Sequence, residues 1–246
     1  MNANAPMVSA PGTIAPPTHP TRRVVDAPTR VFHWLFALCF VGAYVTADFE
    51  SWRLLHVTLG YTLAGLLAFR VLYGLVGPRH ARLSLMLRKL KAGPQWLRAL
   101  RDQVRSGSYA SINWQQGQNL GMGLAVVVLL ILVIPLTLSG YATFNDWGDF
   151  LGCDWIEEIH ELMGNTYLAM VLAHLALIGG LSMLRRKNVA QPMLTGRVPG
   201  PGPNLAKRNH AWLAALLLVG VLAYWTWEWQ QSPNGGKMND TTSWST

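Results

Sequence analysis

Long apolar runs separated by short polar stretches dominate the chain, and five of these runs reach the length that crosses a lipid bilayer. A membrane-spanning helix takes about 20 consecutive, predominantly apolar residues. The pattern therefore predicts an all-α integral membrane protein, with a third span kinked at Pro135. The runs lie at approximately Val31–Ala47, Leu54–Val76, Leu120–Tyr141, Trp155–Leu184 and Ala211–Trp227.

Composition supports a membrane protein over a nucleic-acid-binding protein. About half of the 246 residues are apolar, 13% are charged, and the formal net charge is +8. A nucleic-acid site needs its positive residues on one soluble face. Here the positive residues fall between apolar runs, so the chain is predicted to contact membrane lipid and no nucleic acid.

Composition also divides the chain into segments. Residues 1–23 are rich in Ala, Pro and Thr and lack the apolar core of a signal peptide, which predicts a disordered cytoplasmic tail. The other predicted segments are a four-helix membrane bundle at 24–187, a Pro/Gly-rich linker at 188–209, a fifth transmembrane helix at 210–229 and a periplasmic tail at 230–246.

A long basic connection, 79–118, joins the second and third spans. Leu97, Leu100 and Val104 recur there at helical spacing with arginines between them. This pattern is typical of a helix that lies on an anionic membrane surface. A solvated cytoplasmic helical hairpin is the alternative, and both interpretations stay open at this point.

Charge predicts the orientation of the spans. Lys and Arg collect in the N-terminal segment, the connection 79–118 and the segment after the fourth span, whereas most acids fall on the opposite side. The positive-inside rule then places the N-terminus in the cytoplasm and the C-terminus in the periplasm of a bacterial inner membrane. The outer acids are predicted to face a basic periplasmic redox partner; they include Asp146, Asp149, Asp154, Glu157 and Glu158.

Histidines mark the interior of the predicted bundle. His160 and His174 are fourteen residues apart on the fourth span, so they share one helix face and lie about 21 Å apart along its axis. Histidine within a span marks a function by default. Two histidines at two depths therefore call for two partners.

The first two spans supply those partners. His33 starts an outward-running helix and His56 starts the inward-running return, so His33 lies near the inner face and His56 near the outer face. The depths predict two pairs, His33 with His174 and His56 with His160. A haem iron with two axial imidazoles needs one histidine from each of two facing helices at one depth, so the pattern predicts two haems.

Other candidate sites receive ordinary roles. His19, His80 and His210 lie in tail or loop positions. Cys39 in the first span and Cys153 in an outer loop differ in depth and are not expected to pair. The chain has no C-x-x-C-H sequence, which excludes covalently attached haem.

Two glycines follow the outer histidines by one turn. Gly60 comes four residues after His56, and Gly164 comes four residues after His160. A flat macrocycle has room to pack at a position without a side chain. Close helix packing, which membrane bundles use often, is the alternative explanation for both glycines.

One arginine lies deep in an apolar run. Arg70 follows His56 by fourteen residues, so it lies on nearly the same face at the inner level. A buried guanidinium needs an anion, and the spans offer no acid there. The candidate anion is a haem propionate, and the alternative is that Arg70 extends to the inner interface.

Three stretches resemble a known family. VVDAPTRVFHW, HVTLGYTLAGLLAFRVLYGLVGPRHARLS and IHELMGNTYLAMVLAHL are similar to the bacterial di-haem b-type cytochromes, which include the cytochrome b subunit of nickel–iron hydrogenases and the bacterial cytochrome b-561 group. The resemblance covers about residues 22–187. It implies four helices that bind two b haems, with His33, His56, His160 and His174 as axial ligands.

One departure separates the chain from many relatives. Those relatives have Gly-His-Asn-Pro before the third span, whereas this chain reads Gly117-Gln118-Asn119-Leu120. Any role of that histidine is therefore absent. The fifth span lies outside the part that resembles the family.

The family resemblance implies electron transfer between a periplasmic partner (a hydrogenase, a dehydrogenase or a c-type cytochrome) and membrane quinone. The haem would supply the chemistry, and the protein would place it and tune it. No nucleophile and base are arranged in the spans for hydrolysis, so we expect an electron-transfer subunit. A membrane anchor without redox activity and a transporter that uses the histidines as a proton relay are the alternatives.

Overall fold

The computed structural model describes residues 20–148 and 155–231. Five of the helices in these ranges are long and apolar enough to cross a membrane, which confirms the predicted all-α membrane fold. The helices are α1 (Ala27–Thr46), α2 (Arg53–Val76), α3 (Leu83–Leu90), α4 (Gly93–Arg105), α5 (Trp114–Phe144), α6 (Trp155–Arg185), α7 (Gln191–Thr195) and α8 (Ala211–Gln231). The strands are β1 (Thr21–Arg23) and β2 (Arg197–Pro199).

Caps explain why two spans start earlier than their apolar runs. Asp26 precedes α1, and its carboxylate accepts the backbone N–H of Thr29 at 3.2 Å. Asn113 precedes α5 and accepts the N–H of Gln116 at 3.0 Å. Such caps satisfy backbone donors that the first helical turn leaves unpaired. Pro135 lies inside α5 and does not end the helix.

The spans pack in a defined order. α1 packs on α2 and α8, α2 packs on α5, and α5 packs on α6 over most of its length. α1 and α6 meet mainly through side chains, as in the pair Phe40 and Tyr167, whose ring centroids are 4.6 Å apart. The buried centre includes Phe32, Phe36, Cys39, Phe40, Leu59, Leu63, Leu66 and Val133.

The segment predicted as a plain linker folds against α1. β1 pairs antiparallel with β2, so Thr21–Arg23 are ordered although the sequence predicted a disordered tail through residue 23. Arg30 donates to the Leu194 carbonyl at 3.1 Å, and Trp34 donates to the Met193 carbonyl at 3.2 Å. Residues 1–19 and 232–246, which include most of both predicted tails, lie outside the described residues.

The fifth span is attached to the bundle through α1 and α2. Trp225 donates its indole N–H to the Thr62 hydroxyl at 2.8 Å. Trp227 and Trp229 near the end of α8 are exposed, whereas Trp225 is bound to the protein.

The basic connection contains two helices, α3 and α4. Trp96 packs against Gly117, and its indole N–H donates to the Asn113 carbonyl at 3.0 Å. Leu97 and Val104 are exposed, so the part of the chain that the structure describes covers this apolar face of α4 only partly, at Leu100. This exposure favours the membrane-surface interpretation.

Candidate paired-histidine site

The structure brings His56 and His160 together at one end of the bundle, where α2 and α6 begin. This end is called the His56 end, and the opposite end, where α1 begins, is called the His33 end. The imidazole rings of His56 and His160 have centroids 6.0 Å apart and planes at 88°. His56 projects from the start of α2, and His160 projects from the second turn of α6. The two helices thus place these rings at one level, as the sequence predicts.

Each of the two imidazole rings forms a hydrogen bond through its Nδ1 atom. His56 Nδ1 lies 2.8 Å from the Ala43 carbonyl, and His160 Nδ1 lies 3.2 Å from the Leu136 carbonyl. A carbonyl oxygen only accepts, so Nδ1 donates in each ring and Nε2 keeps its lone pair. This hydrogen bond fixes the ring orientation in the way that partners of metal-bound histidine do.

Two neighbours of His160 were not predicted from the sequence. The Ser139 hydroxyl lies 3.2 Å from His160 Nδ1. A Cβ atom at Gly140 would lie 2.8 Å from His160 Cε1, so glycine gives the ring its position against α5. The small residues in the stretch LSGYA were the available signal, but their partner lies on another helix.

The His33 end holds the second predicted pair. His33 lies in the second turn of α1, and His174 lies in the C-terminal half of α6. The two imidazoles are within electrostatic range of each other. Both Nδ1 atoms are buried without a hydrogen-bond partner. A buried polar nitrogen of this kind calls for a bound group or a water.

The glycines near the His56 end border open space. A Cβ atom at Gly60 or Gly164 would meet no heavy atom within 4 Å, although both residues are partly buried. Close helix packing, the alternative explanation from sequence, is therefore wrong for both positions. Packing of a macrocycle against them stays a prediction.

Arg70 has protein partners at the His33 end. Its guanidinium donates to the Ala81 carbonyl at 3.1 Å and lies within electrostatic range of Asp26. Asp26, which caps α1 and so lies just outside the first span, is a fully buried carboxylate in this region that the sequence analysis did not consider as a partner of Arg70. Contact with a haem propionate stays a prediction.

Asp26 is the centre of a polar cluster that the sequence analysis missed. Its Oδ2 accepts hydrogen bonds from the Tyr73 hydroxyl and from His80 Nε2. His80 had been given an ordinary loop role. The available signal was the order Asp-Ala-Pro before an apolar run, which is typical of a helix cap; its two side-chain partners are 47 and 54 residues away.

The departure before the third span has a local explanation. Gln118 and Asn119 both accept hydrogen bonds from the Arg185 guanidinium, at 2.8 and 3.3 Å. These contacts join the first turns of α5 to the end of α6. In this chain the side-chain amides of Gln118 and Asn119 attach α5 to α6.

Comparisons with known proteins identify the family. Residues 24–196 match the family described as prokaryotic cytochrome b561, and this range ends before α8. Neither the curated proteins nor the solved structures gave a significant match. The match covers most of the chain and confirms the resemblance seen in the sequence. The chain therefore belongs to the prokaryotic cytochrome b561 family, whose members are haem b proteins of the membrane that transport electrons.

Proposed function

We propose that this cytochrome carries electrons across the bacterial inner membrane between the quinone pool and a periplasmic redox partner, through two haems with two histidine ligands each. The single observation that carries the proposal is the presence of two histidine pairs at opposite ends of one bundle. The ring centroids of His56 and His160 are 6.0 Å apart, and His33 and His174 lie on α1 and α6 toward the other end of the bundle.

The His56 end fits a bis-imidazole iron site. A metal–imidazole bond of about 2 Å puts the ring centroids of two opposed ligands roughly 6 Å apart, and the observed separation is 6.0 Å. Both Nε2 atoms are available because both Nδ1 atoms are engaged. Gly60 and Gly164 leave room beside the rings.

The His33 end fits the same kind of group by a different observation. His33 and His174 each bury an unpartnered Nδ1, and α1 and α6 have little close backbone contact. Haem at this level would supply the electron-accepting iron, and the two helices would supply its axial ligands. Arg70 remains the candidate partner of a propionate.

A quinone site belongs at the His33 end in this proposal. Arg30 lies one turn before His33, and its Nε is buried without a partner. A quinone carbonyl would accept a hydrogen bond from such a donor. The segment around Gly196 borders the same guanidinium, so α7 and β2 would form one wall of the site.

The opposite end offers an acidic surface for the partner protein. Asp146, Glu157 and Glu158 are exposed beside the His56 end, and Asp149 and Asp154 lie outside the described residues. The electrostatic field of a surface with one sign of charge steers a partner of opposite charge toward it. Salt screens this field and weakens the steering. A periplasmic protein with a basic patch would dock here.

The described spans do not favour a transporter. A proton-relay transporter uses carboxylates near the middle of the bilayer and broken helices. The carboxylates on the described long helices lie only within about two turns of a helix end, and those helices are unbroken. A redox-inactive anchor would not require two histidine pairs.

Haem stoichiometry tests the proposal. The purified chain should show the spectrum of low-spin b haem on reduction with dithionite, and a pyridine haemochrome assay should give two haems per polypeptide. A stoichiometry of one would contradict the two-site proposal. The absence of haem would favour the anchor.

A further inference from the structure

A fully buried carboxylate, Asp26, lies at the His33 end outside both histidine pairs. Its Oδ1 accepts the N–H of Thr29 at 3.2 Å. Its Oδ2 accepts the Tyr73 hydroxyl, and it also accepts His80 Nε2–H at 2.8 Å. The cap of α1 uses only the first of these bonds, so the other two need a further explanation.

The charged and titratable neighbours of Asp26 come from two elements. Tyr73 and Arg70 approach from α2, and His80 approaches from the turn after α2. The segment before α8 contributes a neutral group, the Asn209 carbonyl, which accepts the Ala27 N–H at 3.1 Å. Among the described residues, His80 connects this cluster to water, because its side chain is 12% exposed while that of Asp26 is 0% exposed.

Polar atoms continue from Asp26 toward the histidine pair. Thr29 and His33 follow Asp26 by three and seven residues, so the three share one face of α1 over about 10 Å. Thr29 Oγ1 and His33 Nδ1 are both buried without a protein partner. Buried polar atoms are paired in nearly all proteins, by water where protein is absent. A line of water molecules from Asp26 to the His33 level would satisfy both atoms.

We propose that His80, Asp26 and Thr29 form a proton path between water at the His33 end and the level of the His33–His174 pair. The path rests on the proposed quinone site at that end. Oxidation of a quinol there yields a quinone, two electrons and two protons. The electrons reduce two ferric haems to the ferrous state, and the protons leave through Asp26 and His80 to water. Quinone reduction runs the same steps in reverse.

A purely structural role makes a different prediction for one substitution. Asn and Asp are about equally good helix caps, so Asp26→Asn keeps the bond to Thr29. The amide does not carry a proton at neutral pH. The cap alone therefore tolerates Asn, but the amide NH2 would face the Tyr73 and His80 donors. His80→Gln keeps the carboxylate and a donor toward it but carries no proton, so it is the substitution that separates a proton path from a structural role.

The test uses the full haem-loaded chain in detergent with a decyl-substituted benzoquinol as electron donor. Stopped-flow spectroscopy measures haem reduction in wild type, Asp26→Asn and His80→Gln. We expect both substitutions to slow quinol oxidation at least about tenfold, since positioned proton-transfer groups typically contribute about 10²- to 10⁴-fold. Reduction by dithionite, which needs no path from quinol, should be unchanged. The matched control is Asp102→Asn, which also removes one negative charge, but at an exposed position on α4.

A second measurement is independent of quinone. In wild type the midpoint potential of the His33–His174 haem should fall as pH rises, by up to about 59 mV for each tenfold change in proton activity. Asp26→Asn and His80→Gln should flatten this dependence. His80→Gln keeps the cap of α1 and so provides the test if Asp26→Asn does not fold.

The outcomes separate the path from the quinone proposal. Wild-type rates and wild-type pH dependence in both variants would overturn the path. A wild type that ignores quinol but has a pH-dependent potential, flattened by the substitutions, would retain the path and reject the quinone site. A pH-independent potential in an unreactive wild type would reject both.

Discussion

The imidazole rings of His56 and His160 lie 6.0 Å apart between centroids, and each is fixed through Nδ1 by a carbonyl of a neighbouring helix. The carbonyls belong to Ala43 on α1 and Leu136 on α5. Three different contacts between helices thus set the positions of two rings. A change that moves either carbonyl should affect the properties of this end without affecting the other.

Gly140 provides the most local test of this arrangement. In Gly140→Ala the new methyl group would lie 2.8 Å from His160 Cε1 and 3.2 Å from Nδ1, so the ring must move away from the Leu136 carbonyl. We expect a redox titration to show a changed or lost component for the His56–His160 haem and an unchanged second component. Gly121→Ala on the same helix, where a Cβ meets no heavy atom within 4 Å, should behave as wild type.

Gly60 tests whether a macrocycle packs beside the outer pair. Gly60→Leu meets no protein atom near its Cβ, so the protein should fold, but the side chain should occupy the space that the haem needs. We expect the haem content to fall toward one per chain in a pyridine haemochrome assay. Gly180→Leu, at an exposed open position on α6, is the control. Full haem content in Gly60→Leu would show that Gly60 does not border the haem.

Asp26 should contribute to stability in a pH-dependent way. Burial raises the pKa of Asp26, but hydrogen bonds from Thr29, Tyr73 and His80 outweigh it, so the net pKa is lowered from 3.8. The ionised carboxylate therefore stabilises the fold above its ordinary pKa, and this contribution is lost as pH falls through the lower folded-state pKa.

The expected size follows from the bonds that are lost. Asp26→Ala removes a cap and leaves two buried donors unpaired, which should lower the free energy of unfolding at pH 7 by roughly 2–4 kcal/mol. Denaturation in detergent at pH 7 and at acidic pH measures the effect. Asp102→Ala should change stability by less than about 0.5 kcal/mol. A pH-independent difference between Asp26→Ala and wild type would contradict the account.

The acidic surface should govern encounter with the redox partner. We expect the combined substitutions Asp146→Asn, Glu157→Gln and Glu158→Gln to slow electron transfer to a basic periplasmic partner at low ionic strength. The difference should shrink as salt is added, because salt screens exposed charges. Neutralising Asp102 at the opposite end is the control. Equal rates at low salt would exclude a docking role for these acids.

The sequence was sufficient for the spans and for the approach of His56 to His160, because apolar length and helical spacing are local properties. The fourteen-residue interval between His160 and His174 needs no tertiary information. Histidine depth then follows from the alternating direction of the spans. The structure brings His56 and His160 together, as this reasoning predicted, and the pairing of His33 with His174 stays a prediction.

Contacts between distant segments were not predictable in the same way. The bond between Asp26 and His80 joins residues 54 positions apart, and β1 pairs with a segment that composition suggested was a linker. Gly140 received no role because its contact, His160, lies on another helix. Each of these contacts depends on how helices pack, which spacing within one helix does not specify.

A redox titration of four single alanine variants tests the central claim most directly. The variants are His33→Ala, His174→Ala, His56→Ala and His160→Ala, each purified intact. A low-spin iron with two imidazole ligands needs both, so His33→Ala and His174→Ala should remove one potentiometric component, and His56→Ala and His160→Ala should remove the other. Loss of the same component in His33→Ala and His56→Ala, with loss of the other in His174→Ala, would contradict the two-pair arrangement.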